Sequence, residues 1–434
     1  MRTIRCTEKN LSGILADLTA ESSLFDATIE ERTRSIVEAV RDRGDAALLE
    51  FTERFDGAKL SSGQLAVSKA ELMAASLKAD EAMRTALGVA KKNVERFSKR
   101  GLRKGWSIRN TEGGEVGEKF DPFQRVGVYI PGGTAPLVST ALMTVVLAKV
   151  AGCKEIVVCT PCGAGGQVHP GLLYAARLAG ATEIYRVGGA QAIAAMAWGT
   201  ETIRPVQKVF GPGNAYVVMA KRLLFGRVAV DLLPGPSEML VMADDTARPE
   251  LVAADMLAQA EHGSGHERVW LVTTSKALLA EVKREIQVQV RERARAKHIR
   301  KALKQQGCLM LVEDVDQAVT VANGLAPEHC EIMMRQGEKV SERIVTAGAI
   351  FLGAWSPTVL GDYMAGPSHT LPTGGAGASF AGLTVDQFQR RTSVVRYDRA
   401  ALKKSLPTVA TLAGAEGLEG HANSAAIRFA RRKK

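Results

Sequence analysis

Arg125-Val-Gly-Val-Tyr-Ile-Pro-Gly-Gly-Thr134 decides the reading of the fold: a short β-branched run ends in a Pro-Gly-Gly turn and leads into the Leu- and Ala-rich stretch 137–150. A strand-length apolar run joined through glycines to a helix-length segment opens a strand–helix unit. The unit repeats. Candidate strands at 126–130, 155–160, 183–187, 228–233, 239–242, 269–273, 308–312, 331–333 and 349–352 alternate with candidate helices at 137–150, 172–178, 190–197, 216–224, 249–261, 276–303 and 315–323. Such alternation predicts parallel sheets covered by helices on both faces, and this many strands predicts two α/β lobes. The Pro-Gly-Pro-Ser break within 231–238 divides them. Upstream, residues 7–104 read as mostly helical, with apolar residues recurring at three and four in 29–40 and 70–97. Past Asp386 the chain turns polar and helical, too small to hold its own core. The expected domains are thus a helical N-terminal region, 1–125, packing on the second lobe; a first lobe, 126–238; a second lobe, 239–380; and a docking tail, 381–434.

Composition bounds the function classes. The 434 residues carry 57 Lys+Arg against 46 Asp+Glu, a net charge of +11, with 46% apolar, 24% charged and 5% aromatic residues. Those fractions match an ordinary globular protein and exclude disordered, collagenous and disulfide-dense classes. No apolar run approaches the roughly 18–20 residues of a membrane span. The start, Met1-Arg-Thr-Ile-Arg-Cys-Thr-Glu-Lys, has no apolar signal core, so a cytoplasmic chain with reduced thiols is expected. Positive charge is scattered, with local excess at 283–304 and in Arg431-Arg-Lys-Lys434. Glu285 and Glu292 interleave the first of these, which reads as a solvated helix, and no nucleic-acid partner is expected. Among the six cysteines only Cys159 and Cys162 form a C-x-x-C. Small buried thiols, Cys330 among them, are the default reading over a redox pair.

Several segments can carry chemistry. The turn Pro131-Gly132-Gly133-Thr134 lies between a strand and a helix, where backbone N–H groups can cradle phosphate. A structural turn fits equally well, because G-x-G-x-x-G is absent and no acidic residue ends the next strand, where a ribose hydroxyl is normally met. The same two readings apply to Gly211-Pro-Gly-Asn214. In 249–261 and just beyond, Asp255, Gln259 and His262 share one helical face, opposite Ala253, Met256, Leu257 and Ala260. Alone, that histidine reads as an ordinary surface or core residue. Three loops add weight: Ala326-Pro-Glu-His-Cys330, Gly361-Asp through His369 to Gly375, and Glu416-Gly-Leu-Glu-Gly-His421. Each sets titratable groups among small residues, Gly or Pro. Adjacent Glu328 and His329 offer the carboxylate and imidazole that proton transfer near neutrality uses most, against a loop-capping alternative. Asp362, His369 and His421 suit a zinc-like divalent ion, against ordinary loop hydrogen bonding.

Taken together, the chain from about Ile29 to Arg428 resembles the histidinol dehydrogenase family. The resemblance rests on 125–134, Val187-Gly-Gly-Ala-Gln191-Ala, Phe210-Gly-Pro-Gly-Asn214, Pro234-Gly-Pro-Ser237-Glu, Ala258-Gln-Ala-Glu-His262-Gly, Ala326-Pro-Glu-His329 and 361–375, seven matches in order. It implies two incomplete Rossmann-like lobes and an NAD- and zinc-dependent, four-electron oxidation of L-histidinol to L-histidine. It further implies that Gln259, His262, Asp362 and His421 bind one zinc per subunit and, with Ser237, His329, His369 and Glu416, contact the substrate. Glu328 and His329 would be the catalytic pair, and Tyr129, Gln191 and Asn214 the NAD contacts. The family's C-terminal segment reaches into the partner of a homodimer, which gives the tail its docking place. Two other readings compete: a related NAD/zinc dehydrogenase acting on sulfopropanediol, and a metal- or nucleic-acid-binding protein that lost the chemistry. The carboxylate of Glu416 and the intact Glu328-His329 pair speak against them.

Overall fold

The computed structural model describes residues 1–19, 26–132, 136–262 and 265–430. Gly133 and Thr134 of the first glycine turn, Gly263, and Arg431-Arg-Lys-Lys434 lie outside the described residues. The chain forms two units, Met1–Gly101 with Phe123–Phe388, and Leu102–Pro122 with Gln389–Lys434.

The first unit opens with strand β1 (Arg2–Arg5) and helices α1 (Leu11–Thr19), α2 (Ala27–Arg43), α3 (Asp45–Asp56), α4 (Lys69–Lys78) and α5 (Glu81–Gly101). Strands β2 (Trp106–Arg109) and β3 (Glu115–Pro122) belong to the second unit. The first lobe follows as β4 (Arg125–Tyr129), α6 (Val138–Ala151), β5 (Glu155–Cys159), α7 (Pro170–Ala179), β6 (Glu183–Tyr185), α8 (Gly189–Trp198), β7 (Lys208–Phe210), α9 (Ala215–Leu224) and β8 (Ala229–Val230). Its strands run parallel in the order β6-β5-β4-β7-β8. Every residue of β4 is buried, as expected for a parallel strand covered on both faces. Arg125 closes the N-terminal edge of this sheet, pairing at 2.8 Å with Glu183 and 2.7 Å with Glu155. That hydrogen-bonded pairing holds the Glu183 carboxyl down at about 2.

The second lobe runs β9 (Glu238–Ala243), α10 (Pro249–Ala260), β10 (Arg268–Thr273), α11 (Lys276–Gln289), α12 (Ala296–Gln306), β11 (Gly307–Leu311), α13 (Val315–Leu325), β12 (His329–Met333), α14 (Gly337–Ser341), β13 (Ala349–Leu352) and α15 (Val359–Tyr363). Its sheet, β1-β11-β10-β9-β12-β13, is also parallel. The second unit adds β14 (Gln389–Arg396), α16 (Arg399–Ala415) and α17 (Glu419–Ala426), with β14-β3-β2 antiparallel.

Two expectations about domains are corrected. The helical N-terminal region packs mainly on the first lobe: α2 lies against α8 and α9, α4 against α7, and α5 against α6. Ile36, Val37, Val40, Leu48 and Phe51 are the reason, since they join the apolar cluster beneath α8. The second lobe receives β1 as an edge strand on β11 and α1 against α13, and α5 touches it where Asn93 donates to the Met364 carbonyl at 2.8 Å. The C-terminal portion starts at Gln389 instead of 381, and it starts as a strand. Phe388 is fully buried and keeps 381–388 with the first unit, while residues 102–122, expected in the helical region, supply the partner of β14. No described helix is long and apolar enough to cross a membrane.

Candidate active site

A cavity of about 1700 Å³ opens within the first unit, large enough for a dinucleotide and a second small ligand together. The two sheets face it with opposite edges. From the first lobe come the C-terminal strand ends: Tyr129 at the end of β4, Gly189 and Gln191 after β6, and Asn214 after β7. From the second come residues at strand starts, Ser237 before β9 and Glu328 and His329 at the head of β12, with His262 just past α10 and Asp362 on α15.

In the first lobe, geometry is held mostly by backbone. Gly211 sits at φ +107°, and a Cβ there would lie 2.1 Å from the Tyr129 carbonyl oxygen, so only glycine lets β7 turn beside β4. Its N–H donates to Asp231 Oδ2 at 2.7 Å, and Asp231 is paired with Lys221 in a fully buried ion pair. Asn214 caps α9, accepting from the Tyr216 and Val217 amides, so its side chain is already engaged structurally. The Tyr129 hydroxyl accepts from the Gly189 amide at 3.1 Å, and burial pushes it up to about 12, so it stays neutral. Gln191 is 1% exposed, and its Oε1 has no hydrogen-bond partner.

In the second lobe, geometry is held by titratable side chains. Ala326, which caps α13, adopts φ +45°, the single non-glycine residue at positive φ among the described residues, and turns the chain into Pro327-Glu328-His329. Glu328 and His329 are then buried at 6% and 4% exposure. Glu328 Oε2 accepts from the Ser237 hydroxyl and, at 2.8 Å, from the Glu238 amide. Burial raises its carboxyl above the usual range, while His329, Ser237 and the Glu238 amide pull the other way. His329 Nδ1 lies 3.0 Å from the Glu238 carbonyl oxygen. A carbonyl can only accept, so Nδ1 carries the proton and Nε2 is left as the basic nitrogen, 4.0 Å from Asp362 Oδ1. By the same argument His369 donates from Nδ1 to the Asp362 carbonyl (3.0 Å) and takes the Thr140 hydroxyl on Nε2 (3.1 Å). Burial pushes its imidazole below the ordinary value.

For a metal, the relevant donors are Gln259, His262 and Asp362. His262 Nδ1 is tied to the Gln259 carbonyl at 3.1 Å, which leaves Nε2 free for a ligand in the manner of metal-bound histidines. The buried Gln259 side chain has an Nε2 without a partner. This nitrogen and oxygen donor set suits a borderline divalent ion. No group of three or more His, Cys, Asp or Glu among the described residues is placed to hold a metal unaided. Glu416, the C-cap of α16, and His421, in α17, lie in the second unit with exposed side chains.

Residues outside the sequence expectations also appear. Thr140 holds His369, the Glu238 backbone holds both Glu328 and His329, and Asp56 at the end of α3 lines the cavity beside Tyr129. None has a local sequence signal, because each acts through neighbours distant along the chain. The C-x-x-C thiols are buried; burial pushes Cys159 up to about 12 and raises Cys162, the reverse of what a redox pair needs.

The histidinol dehydrogenase family model matches residues 19–429. Histidinol dehydrogenase of Geobacillus kaustophilus is 45% identical over 93% of this chain and 96% of its own, and that of Thermus thermophilus 45% identical over 93% and 95%. The crystal structure of histidinol dehydrogenase from Elizabethkingia anophelis superposes with a TM-score of 0.92 at 34% identity, covering 99% of this chain and 98% of that one. By sequence over nearly its whole length, and by a fold that matches at the same coverage, this chain belongs to the histidinol dehydrogenase family.

Proposed function

We propose that the chain oxidises L-histidinol through L-histidinaldehyde to L-histidine with two equivalents of NAD⁺, as the final steps of histidine biosynthesis in the cytoplasm. The observation that carries this reading is the buried Glu328-His329 pair, in which backbone bonding leaves His329 Nε2 as a base facing a cavity of dinucleotide size.

His329 takes the alcohol proton on Nε2 as the carbinol hydrogen leaves as hydride. Because Ser237 and the Glu238 amide both bond Glu328 Oε2, Oε1 is the atom available to accept a proton from water adding to the aldehyde. His329 moves the proton of the hydrate during the second hydride loss. His369 and Ser237, with Glu416, are assigned to substrate binding. Tyr129, Gln191 and Asn214 are assigned to NAD, which when bound supplies the hydride acceptor. Gln259, His262, Asp362 and His421 are assigned to a zinc ion, one per subunit, which when bound anchors substrate nitrogen as a template. His262 with its free Nε2 supports that assignment. Glu416 and His421 are assigned to the neighbouring subunit's site in a homodimer.

The test is NADH formed per L-histidinol consumed, with and without a zinc chelator. About two NADH, lost on chelation and restored by zinc, is expected. One NADH would mean that the aldehyde escapes; none would transfer the case to sulfopropanediol or to a protein without the chemistry. His262→Ala is expected to lower zinc content and activity together, and full metal with lost activity would remove it from the ligands.

A further inference from the structure

The first lobe lacks one part of a dinucleotide site. In the order β6-β5-β4-β7-β8, β4 is the first strand of the nucleotide-binding half and β5 its neighbour on the side where an acid at the strand's end normally meets the adenosine ribose. Here β5 ends at Cys159 and runs on into Thr160-Pro161-Cys162, with no acid.

An acid nevertheless stands at that place in space. Asp56, the last residue of α3, is close enough to Cys162 and Tyr129 to act on both electrostatically. A Cβ on Gly188 would lie 2.7 Å from Pro161 Cβ and 3.4 Å from Asp56 Oδ2, so Asp56, the end of β5 and the Gly188-Gly189 turn converge. The helix that delivers it is fixed at both ends. Glu201 accepts from the Asp45 amide at its start, the Asp45 carboxylate accepts from Thr202, Phe51 is buried in the core, and Gly57 closes the helix at φ +71°. The carboxylate is therefore held in place, yet Oδ2 is buried and accepts no hydrogen bond. Burial raises the carboxyl to about 6. An acceptor left bare on a cavity wall is costly unless a ligand supplies donors. Gln191 Oε1, buried and also without a partner, lines the same cavity.

We infer that Asp56 accepts hydrogen bonds from the adenosine ribose hydroxyls of the dinucleotide, replacing the missing strand-end acid, and thereby rejects a 2′-phosphate. This rests on the NAD reading given above. A cis-diol offers a carboxylate two charge-assisted bonds, whereas a phosphate dianion there meets like charge. Arg32 and Arg54, exposed on the cavity rim, are the groups that would argue for the phosphate instead.

The test is calorimetric titration of the full-length, metal-loaded protein with NAD⁺ and with NADP⁺, without substrate, for the wild type, Asp56→Asn and Asp56→Ser. The wild type is expected to bind NAD⁺ at least about thirtyfold more tightly than NADP⁺. Both variants should weaken NAD⁺ by about ten- to a hundredfold while NADP⁺ is unchanged or tighter, the range expected for hydrogen bonds to a charged group. Their melting temperatures should not fall, since the carboxylate removed had no partner. Unchanged NAD⁺ affinity in a folded variant, equal weakening of both dinucleotides, or a wild type that prefers NADP⁺ would each overturn the inference while leaving cofactor binding intact. A wild type that binds neither would overturn the NAD reading and this one with it.

Discussion

The two lobes share an architecture and use it in opposite ways. The first turns the C-terminal ends of its strands to the cavity, where open α/β sheets ordinarily bind ligands, and shapes the site from glycine turns, a capped helix and a buried ion pair. The second turns the starts of its strands, and shapes its site from packed, ionisable side chains around Glu328 and His329. Backbone shape suffices to cradle a cofactor that brings its own reactivity. Proton transfer needs side chains with adjusted proton affinity, and that adjustment needs burial, which the strand starts of β9 and β12 supply.

If that contrast holds, damage to the second lobe should cost rate before stability, and damage to the first the reverse. Glu328→Gln is the sharpest case, expected to slow aldehyde oxidation by about 10²–10⁴, the usual worth of a positioned acid–base group, with the alcohol step largely kept. Separate assays with histidinol and histidinaldehyde check it; equal loss of both half-reactions would remove the water-activating role. Lys221→Met leaves the Asp231 carboxylate buried without its partner and should cost about 3–5 kcal/mol in urea unfolding. A variant as stable as the parent would break the claim that this pair supports the Gly211 turn.

Glu331, two residues beyond His329 on β12, tests the pH side. Burial and the neighbouring Asp255 carboxyl lift its carboxyl from an ordinary 4.5 to about 10. The fold then holds a proton that the unfolded chain releases, so this group's contribution falls as pH rises from about 4.5 towards 10. Glu331→Gln should flatten that fall and gain at least about 1.4 kcal/mol at pH 8.5, the value of one pKa unit. Unfolding curves at pH 5 and 8.5 read the difference, and parallel losses in parent and variant would contradict it. The smallest effect is expected from Thr140→Val, which takes the hydroxyl from His369 Nε2. About 1 kcal/mol, a severalfold rise in KM for histidinol with kcat nearly kept, should follow.

Legibility in the sequence followed burial. The central strands are largely apolar runs buried on both faces, so β4, β5, β9, β10 and β11 stand out. By contrast β1 is a four-residue edge reading Arg-Thr-Ile-Arg, β2 and β14 are mostly exposed and β3 is half-buried, all with polar or charged residues along their length, so none has a pattern of its own. Their strand character exists only through pairing with distant partners. The 276–303 stretch reads as one helix, but the chain breaks it at 290–295 into α11 and α12.

The sequence by itself determined the class of the fold and, through seven ordered motifs, the family, because these depend on local pattern and residue identity. Tertiary structure alone decided which lobe receives the N-terminal helices, which nitrogen of His329 is free, and that an acid 103 positions before the end of β5 stands beside it, counted from Asp56 to Cys159. Proton placement and the meeting of remote segments follow from packing in three dimensions, which no spacing along the chain encodes.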